Sequence, residues 1–172
     1  MNESVTLKLW SDRDQPVLER NNTPEMTLFL GGPESDEQIA NRQTKFLRLL
    51  AEGEARMFTI SVDSEPEAVG SIGYWNTEWH DTDVYETGWA VATAYQGRGY
   101  AAAALRLCLQ DAADQRGRPL MTAYPRVDNG PSNALCRSAG FTLWGEEDDE
   151  YPAGNPIRSN VWTFDLRALR PD

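Results

Sequence analysis

The sequence predicts a mixed α/β domain built on one sheet. Segments with two-residue alternation sit beside segments with helical spacing along the whole chain. The order runs strand, two helices, three strands, then strand and helix alternating, which is irregular for a doubly wound sheet. A chain of 172 residues is the length of one domain, taken as residues 1–172.

Val5, Leu7 and Leu9 alternate with Thr6 and Lys8, the pattern of a half-buried strand. Residues 11–22 read as a short helix with Ser11 as its cap, and 23–33 as a loop marked by Pro24, Gly31, Gly32 and Pro33. Ser35 followed by Gln38 is a capping-box pair. Behind it Ile39, Phe46, Leu47 and Leu50 share a helical face that stops near Gly53. Strands are expected over 56–62, 68–75 and 84–91, the last entered from a polar stretch, 76–83. Leu105, Cys108, Leu109 and Ala112 mark a helix closed near Gly117 and Pro119. A strand over 120–124 follows. Asn129-Gly130-Pro131 opens a further helix that ends at Gly140, and strands over 141–144 and 160–166 flank a loop, 145–159.

Composition excludes several classes. The formal net charge is −11, which opposes binding to duplex nucleic acid or to an anionic membrane surface. No segment has the apolar run of a membrane helix, and Met1-Asn2-Glu3-Ser4 lacks the start of a signal peptide. Two cysteines make no disulfide framework, so a cytoplasmic location is expected. One histidine and two distant cysteines offer no metal-ligand spacing.

The stretch 96–126 holds five arginines and two acids, a local +3 within an acidic chain, and suggests an anionic ligand. It begins with Gln96-Gly97-Arg98-Gly99-Tyr100-Ala101 at a strand–loop–helix junction, where backbone amides and the helix dipole favour anions. The same two glycines also suit a tight turn. Ala102 stands where a dinucleotide fingerprint needs its third glycine, and no Gly-Lys-Ser/Thr is present for a P-loop.

That hexapeptide resembles the Q/R-x-x-G-x-G/A loop of the GNAT superfamily of acyl-CoA-dependent N-acetyltransferases. Glu86-Thr87-Gly88-Trp89-Ala90-Val91 is similar to that family's fourth strand, and the segment 126–133, closing with Gly140-Phe141, to its late N-x-x-S-N…G-F motif. The likeness is nearest the ribosomal-protein N-terminal acetyltransferase branch, which also contains antibiotic and small-amine acetyltransferases. It implies a mostly antiparallel, twisted sheet of six to seven strands with about four helices, and acetyl-CoA in a cleft after the fourth strand. Amides of Gln96, Gly97, Arg98, Gly99, Tyr100 and Ala101 would then hold the CoA pyrophosphate, with Arg98 reaching a phosphate. Ala90 and Val91 would pair with the pantetheine arm, Val91 polarising the thioester, and Asn129 and Asn133 would meet the arm from the opposite side. A homodimer is the family-level expectation.

Acetylating an amine needs a base, because an alkyl ammonium with a pKa near 10 cannot attack. Glu86 is the candidate, on the same strand face as Gly88 and Ala90. Glu78 and His80 are the alternatives. Many family members carry a tyrosine acid four residues before the G-F glycine. Cys136 stands there, and Ser132, which matches the serine of the ribosomal-protein branch's late motif, is the candidate proton donor, with Cys136 the alternative. The acidic run Glu146–Glu150 reads either as a solvated loop or as a lip attracting a cationic amine such as an aminoglycoside, a polyamine or a basic N-terminus. Trp75, Trp79, Trp89 and Tyr85 are candidates to stack on that acceptor. The competing reading is a non-catalytic acyl-CoA-binding module on the same fold.

Overall fold

The computed structural model describes residues 3–171; the first two residues of the stretch read for a signal peptide, Met1 and Asn2, lie outside them. Seven strands form one sheet in the order β1-β2-β3-β4-β5-β7-β6. They are β1 (Val5–Leu9), β2 (Ala55–Val62), β3 (Gly70–Trp79), β4 (Thr82–Val91), β5 (Leu120–Ala123), β6 (Thr142–Glu150) and β7 (Pro156–Asp165). Every pairing is antiparallel except β4 with β5. Four α-helices flank the sheet: α1 (Gln15–Arg20), α2 (Asp36–Ala51), α3 (Tyr100–Gln115) and α4 (Gly130–Ser138). None is long and apolar enough to cross a membrane.

The expected capping box forms: Ser35 accepts from the Gln38 amide, and the Gln38 side chain accepts from the Ser35 amide. Helix α1 begins later than expected, at Gln15. Ser11 donates both its amide and its hydroxyl to the Asp14 carboxylate, which forms a turn ahead of the helix. Helix α3 buries Leu105, Cys108, Leu109 and Ala112 as their spacing requires, and it closes on Arg116 in the left-handed region, one residue before Gly117.

Two expected loops are strands. The polar stretch 76–83 is the end of a long β3–β4 hairpin, with only His80 and Asp81 outside its pairing and both at positive φ. Such a two-residue turn matches the twist of the strands it joins, and Asp81 suits the left-handed region. The loop 145–159 is mostly the β6–β7 hairpin. Arg158 offsets the charge density of β6 by pairing across the strands with Glu146 at 2.9 Å and Asp148 at 2.7 Å.

The sheet separates two apolar layers. On one face α3 and α4 pack Leu105, Leu109 and Cys136 onto Ile60, Ile72, Tyr74 and Met121. On the other, Ile39 of α2 and Val17 and Leu18 of α1 pack on Met57 and Trp10. Strand alternation assigns Tyr85 to the α3 layer, against Tyr74 at 4.9 Å, so Tyr85 belongs to the core and not to an acceptor site. Arg56 joins β2 to α3 through a bidentate ion pair with Asp111 at 2.8 and 2.9 Å, and the Tyr74 hydroxyl donates to the same carboxylate at 2.6 Å.

Candidate active site

The sheet comes apart at one place. Strands β4 and β5 pair only through Tyr85–Met121 and Glu86–Thr122. Beyond that point β4 runs on to Val91 with β3 as its sole strand neighbour. The chain leaving β5 follows β7 instead: the Asn160 amide donates to the Pro125 carbonyl, and the Val127 amide to the Arg158 carbonyl. The edge of β4 past Glu86 therefore faces a gap with backbone groups that no strand pairs.

A cavity of about 790 Å³ opens from this gap on the α1–α2 side. Glu86, Gly88 and Ala90 of β4 line it, with Trp75 of β3, Tyr124 beyond β5, Asn129 and Ser132 at the start of α4, and Asp149 of β6. Glu86 lies at the vertex, opposite Trp75 across the β3–β4 pairing. Burial pushes its carboxyl up to about 7, helped by the like charge of Asp149 and opposed by a hydrogen bond with Trp75. A carboxyl that titrates near neutrality accepts a proton far more readily than a solvated one.

The mouth beyond the β4 edge is built by the glycine segment. Gly97 and Gly99 have φ of +75° and +82°, and a Cβ on either would meet only open space. Here glycine serves backbone conformation and leaves the surface clear for a ligand. The Gln96 side chain donates to the Val91 carbonyl at 2.9 Å and ties the loop to the end of β4. Gly99 caps α3 without a side chain, so the amides of the first turn are uncapped and point to the loop. Residues 96–99 are exposed, whereas the Tyr100 side chain is buried and bonds to Glu3, which leaves Tyr100 only its backbone to offer. This exposed backbone cradle fits a diphosphate.

The five arginines of 96–126 do not form one patch. Arg98 is at the loop, over the Tyr95 ring at 5.6 Å. Arg116 lies at the opposite end of α3, about 24 Å along the helix. Arg118 donates to the carbonyls of Thr77 and Val84 at 2.6 and 2.9 Å, and Arg126 pairs with Asp128 at 2.8 Å.

Several candidates fall elsewhere. Glu78 and His80 are near the tip of the β3–β4 hairpin, outside the cavity. His80 is half exposed between Trp79 and Trp144, its Nε2 2.5 Å from Glu147. Trp79 is held in that cluster and lies away from the cavity, while Trp75 and Trp89 do line it. Cys136 is fully buried, with its thiol pushed up to about 12 by burial, and does not reach the cleft. Ser132 does line the cleft, and its amide donates to the Asn129 carboxamide oxygen that caps α4.

Asn133 is not a cleft residue. Its amide nitrogen donates to the Arg126 and Asn129 carbonyls at 2.9 and 2.8 Å. Its oxygen accepts from Asn160 and from the Trp162 indole, each at 2.8 Å. With both ends of the carboxamide engaged, Asn133 fastens the 126–129 wall to β7. An Asn133→Ala variant leaves those partners unmatched at 1–3 kcal/mol for a buried group, so a loss of about 3 kcal/mol in urea unfolding is expected. Wild-type stability in that variant would remove this bracing role.

Of the acidic run 146–150, expected as a solvated loop or a lip for a cationic amine, Asp149 is the member that lines the cavity; Tyr124 is a lining residue the sequence did not point to. Burial, with Glu86 nearby, raises the Tyr124 hydroxyl to about 12, so it stays protonated at neutral pH. Each reaches the cavity because of where β5 and β6 lead. Among the described residues no cluster of histidine, cysteine or carboxylate side chains is placed to hold a metal.

The fold and cleft define a GNAT-type acetyltransferase. The family model of the acetyltransferase (GNAT) domain matches residues 4–142, and the chain belongs to that family as an N-acetyltransferase. Similar solved structures include RimL, a ribosomal L7/L12 alpha-N-protein acetyltransferase in complex with coenzyme A, at 22% identity and TM-score 0.80 over 96% of each chain. An acetyltransferase from Salmonella typhimurium described as modifying the N-terminal serine of ribosomal protein L7/L12 superposes at TM-score 0.77, with 23% identity over 94% of this chain and 95% of that one. The microcin C7 self-immunity acetyltransferase MccE, in complex with acetyl-CoA and AMP, gives TM-score 0.77 at 18% identity over 94% and 92%. At these identities the neighbours establish the shared fold.

Proposed function

We propose that the enzyme moves the acetyl group of acetyl-CoA directly to a primary amine, with Glu86 as the base. The observation that carries this reading is the position of Glu86 at the vertex of the β4–β5 split, with its carboxyl raised to about 7. Acetyl-CoA, when bound, supplies an acetyl thioester. The glycine loop and the α3 N-terminus hold its diphosphate, and the free edge of β4 at Ala90 and Val91 aligns the pantetheine arm. Asn129 and Ser132 form the opposite wall. Glu86 takes a proton from the acceptor ammonium and frees the nitrogen lone pair. That lone pair bonds to the acetyl carbon, the carbon–sulfur bond breaks, and the second proton that the nitrogen sheds on becoming an amide passes to the departing thiolate, with the Ser132 hydroxyl as the relay. Ser132 is the nearest match to the family's donor, and it lines the cleft at the start of α4. Two free, buried cysteines fit a reducing cytoplasm.

The acceptor is either a protein or peptide N-terminus or a small amine. A thiol-release assay with acetyl-CoA, with product identified by mass, tests the reaction. Amine-dependent release with an acetylated product is expected. CoA binding without any release would favour the non-catalytic module.

A further inference from the structure

The walls of the cavity carry a charge and apolarity pattern that narrows the acceptor. Three cations face it, Arg42, Lys45 and Arg126, and three carboxylates, Glu34, Glu86 and Asp149. Two cations and one carboxylate are already engaged: Arg42 pairs with Glu34 at 2.6 Å, and Arg126 with Asp128 at 2.8 Å. Glu86 is the base, which leaves Asp149 as the one carboxylate free to hold an ammonium. Lys45 has no ion-pair partner among the described residues and repels any second positive charge. Met26, Phe29, Phe46, Trp75, Trp89 and Ile157 give the lining a large apolar part, beside uncharged polar groups such as Gln38, Asn41 and Tyr124. Arg126 stacks over Phe29 at 5.6 Å and holds that ring at the wall. Above the cavity the turn of β6–β7 meets the loop 23–34: a Cβ on Gly31 would sit 2.6 Å from Pro152, and Arg42 reaches the Tyr151 hydroxyl at 3.5 Å. This contact roofs the cavity and limits the width of what enters.

We infer that the acceptor is a primary amine bearing one positive charge on an apolar, ring-sized body, with Asp149 holding the ammonium and Phe29 the body. This rests on the reading of the cavity as the acetyl-transfer site. A polyamine or aminoglycoside brings several ammonium groups to a cavity with one spare carboxylate and a repelling lysine, and an unpaired charge there is strongly disfavoured. The same chemistry is found in a free arylalkylamine and in a peptide that starts with an apolar residue.

The test compares kcat/KM for 2-phenylethylamine, ethylamine, spermidine, kanamycin, and peptides beginning with Phe or Ser. Binding of each to the CoA-loaded enzyme is followed in parallel by tryptophan fluorescence. A gain of 10–200-fold for 2-phenylethylamine or the Phe peptide over ethylamine, spermidine and kanamycin is expected, the range an apolar pocket gives. Which of the two is favoured tells the free amine from the N-terminus. Phe29→Ala should raise KM for the apolar acceptors by more than it does for ethylamine. Asp149→Asn should raise KM for every amine. Preference for spermidine or kanamycin, equal use of ethylamine and 2-phenylethylamine, or no binding of any apolar amine overturns the inference. Failure of the acetyl-transfer reading looks different: the binding order holds while no amine releases thiol.

Discussion

Replacing Glu86 with glutamine is expected to lower kcat/KM by 10²–10⁴-fold, the usual contribution of a positioned general base, and to leave CoA affinity unchanged. The wild-type rate should rise with pH along a limb centred near 7, where the buried carboxyl loses its proton. That limb should disappear in Glu86→Gln, and Asp149→Asn should shift it to lower pH by removing the like charge. Stability should respond in the opposite sense. The folded-state value is raised from 4.5, so burial of the charged carboxyl costs nothing below pH 4.5 and its full amount above pH 7. Glu86→Gln should therefore be more stable than wild type at pH 8 by about 3 kcal/mol and no more stable at pH 4. Unchanged kcat/KM with an unchanged pH limb would remove Glu86 from the mechanism, whatever its effect on stability.

Converting both loop glycines to valine, Gly97→Val with Gly99→Val, should weaken CoA binding by at least tenfold in calorimetric titration. Both residues have φ well inside the left-handed region. A side chain costs about 1–2 kcal/mol per residue there, and a β-branched one fits worst. The loop escapes this strain by leaving that conformation, which turns its amides away from the diphosphate. Because a Cβ at either position meets no neighbouring atom, the melting temperature should fall only slightly. Wild-type CoA affinity in the double variant would mean that the loop does not hold the diphosphate. A large fall in melting temperature with retained affinity would make the glycines structural.

Local features of the chain were legible where the cause is local. The Ser35–Gln38 box and the apolar row of α3 follow from interactions within one or two helical turns. The glycine loop was legible for the same reason, since a left-handed residue ahead of an uncapped helix is a short-range requirement. Glu86 followed from strand alternation, which assigns it to the face of Gly88 and Ala90. Polar strands were missed because they lack an apolar alternation, and the pairing that holds them is cross-strand. Asn76–Glu78 lie in β3 only because β4 returns beside them, and the acidic β6 persists because Arg158 crosses to Glu146 and Asp148.

By itself the sequence determined the class of fold, the glycine loop ahead of α3 and the strand that carries Glu86. Each depends on a period, a cap or a backbone conformation that neighbouring residues set. Only the tertiary structure decided where the cleft opens, because that depends on β5 leaving β4 after Glu86 to follow β7. It also decided that Asn133 braces a wall, that Cys136 and His80 lie outside the cavity, and that Tyr124 and Asp149 line it. Those assignments turn on burial and on long-range approach, which a residue's neighbours in sequence do not specify.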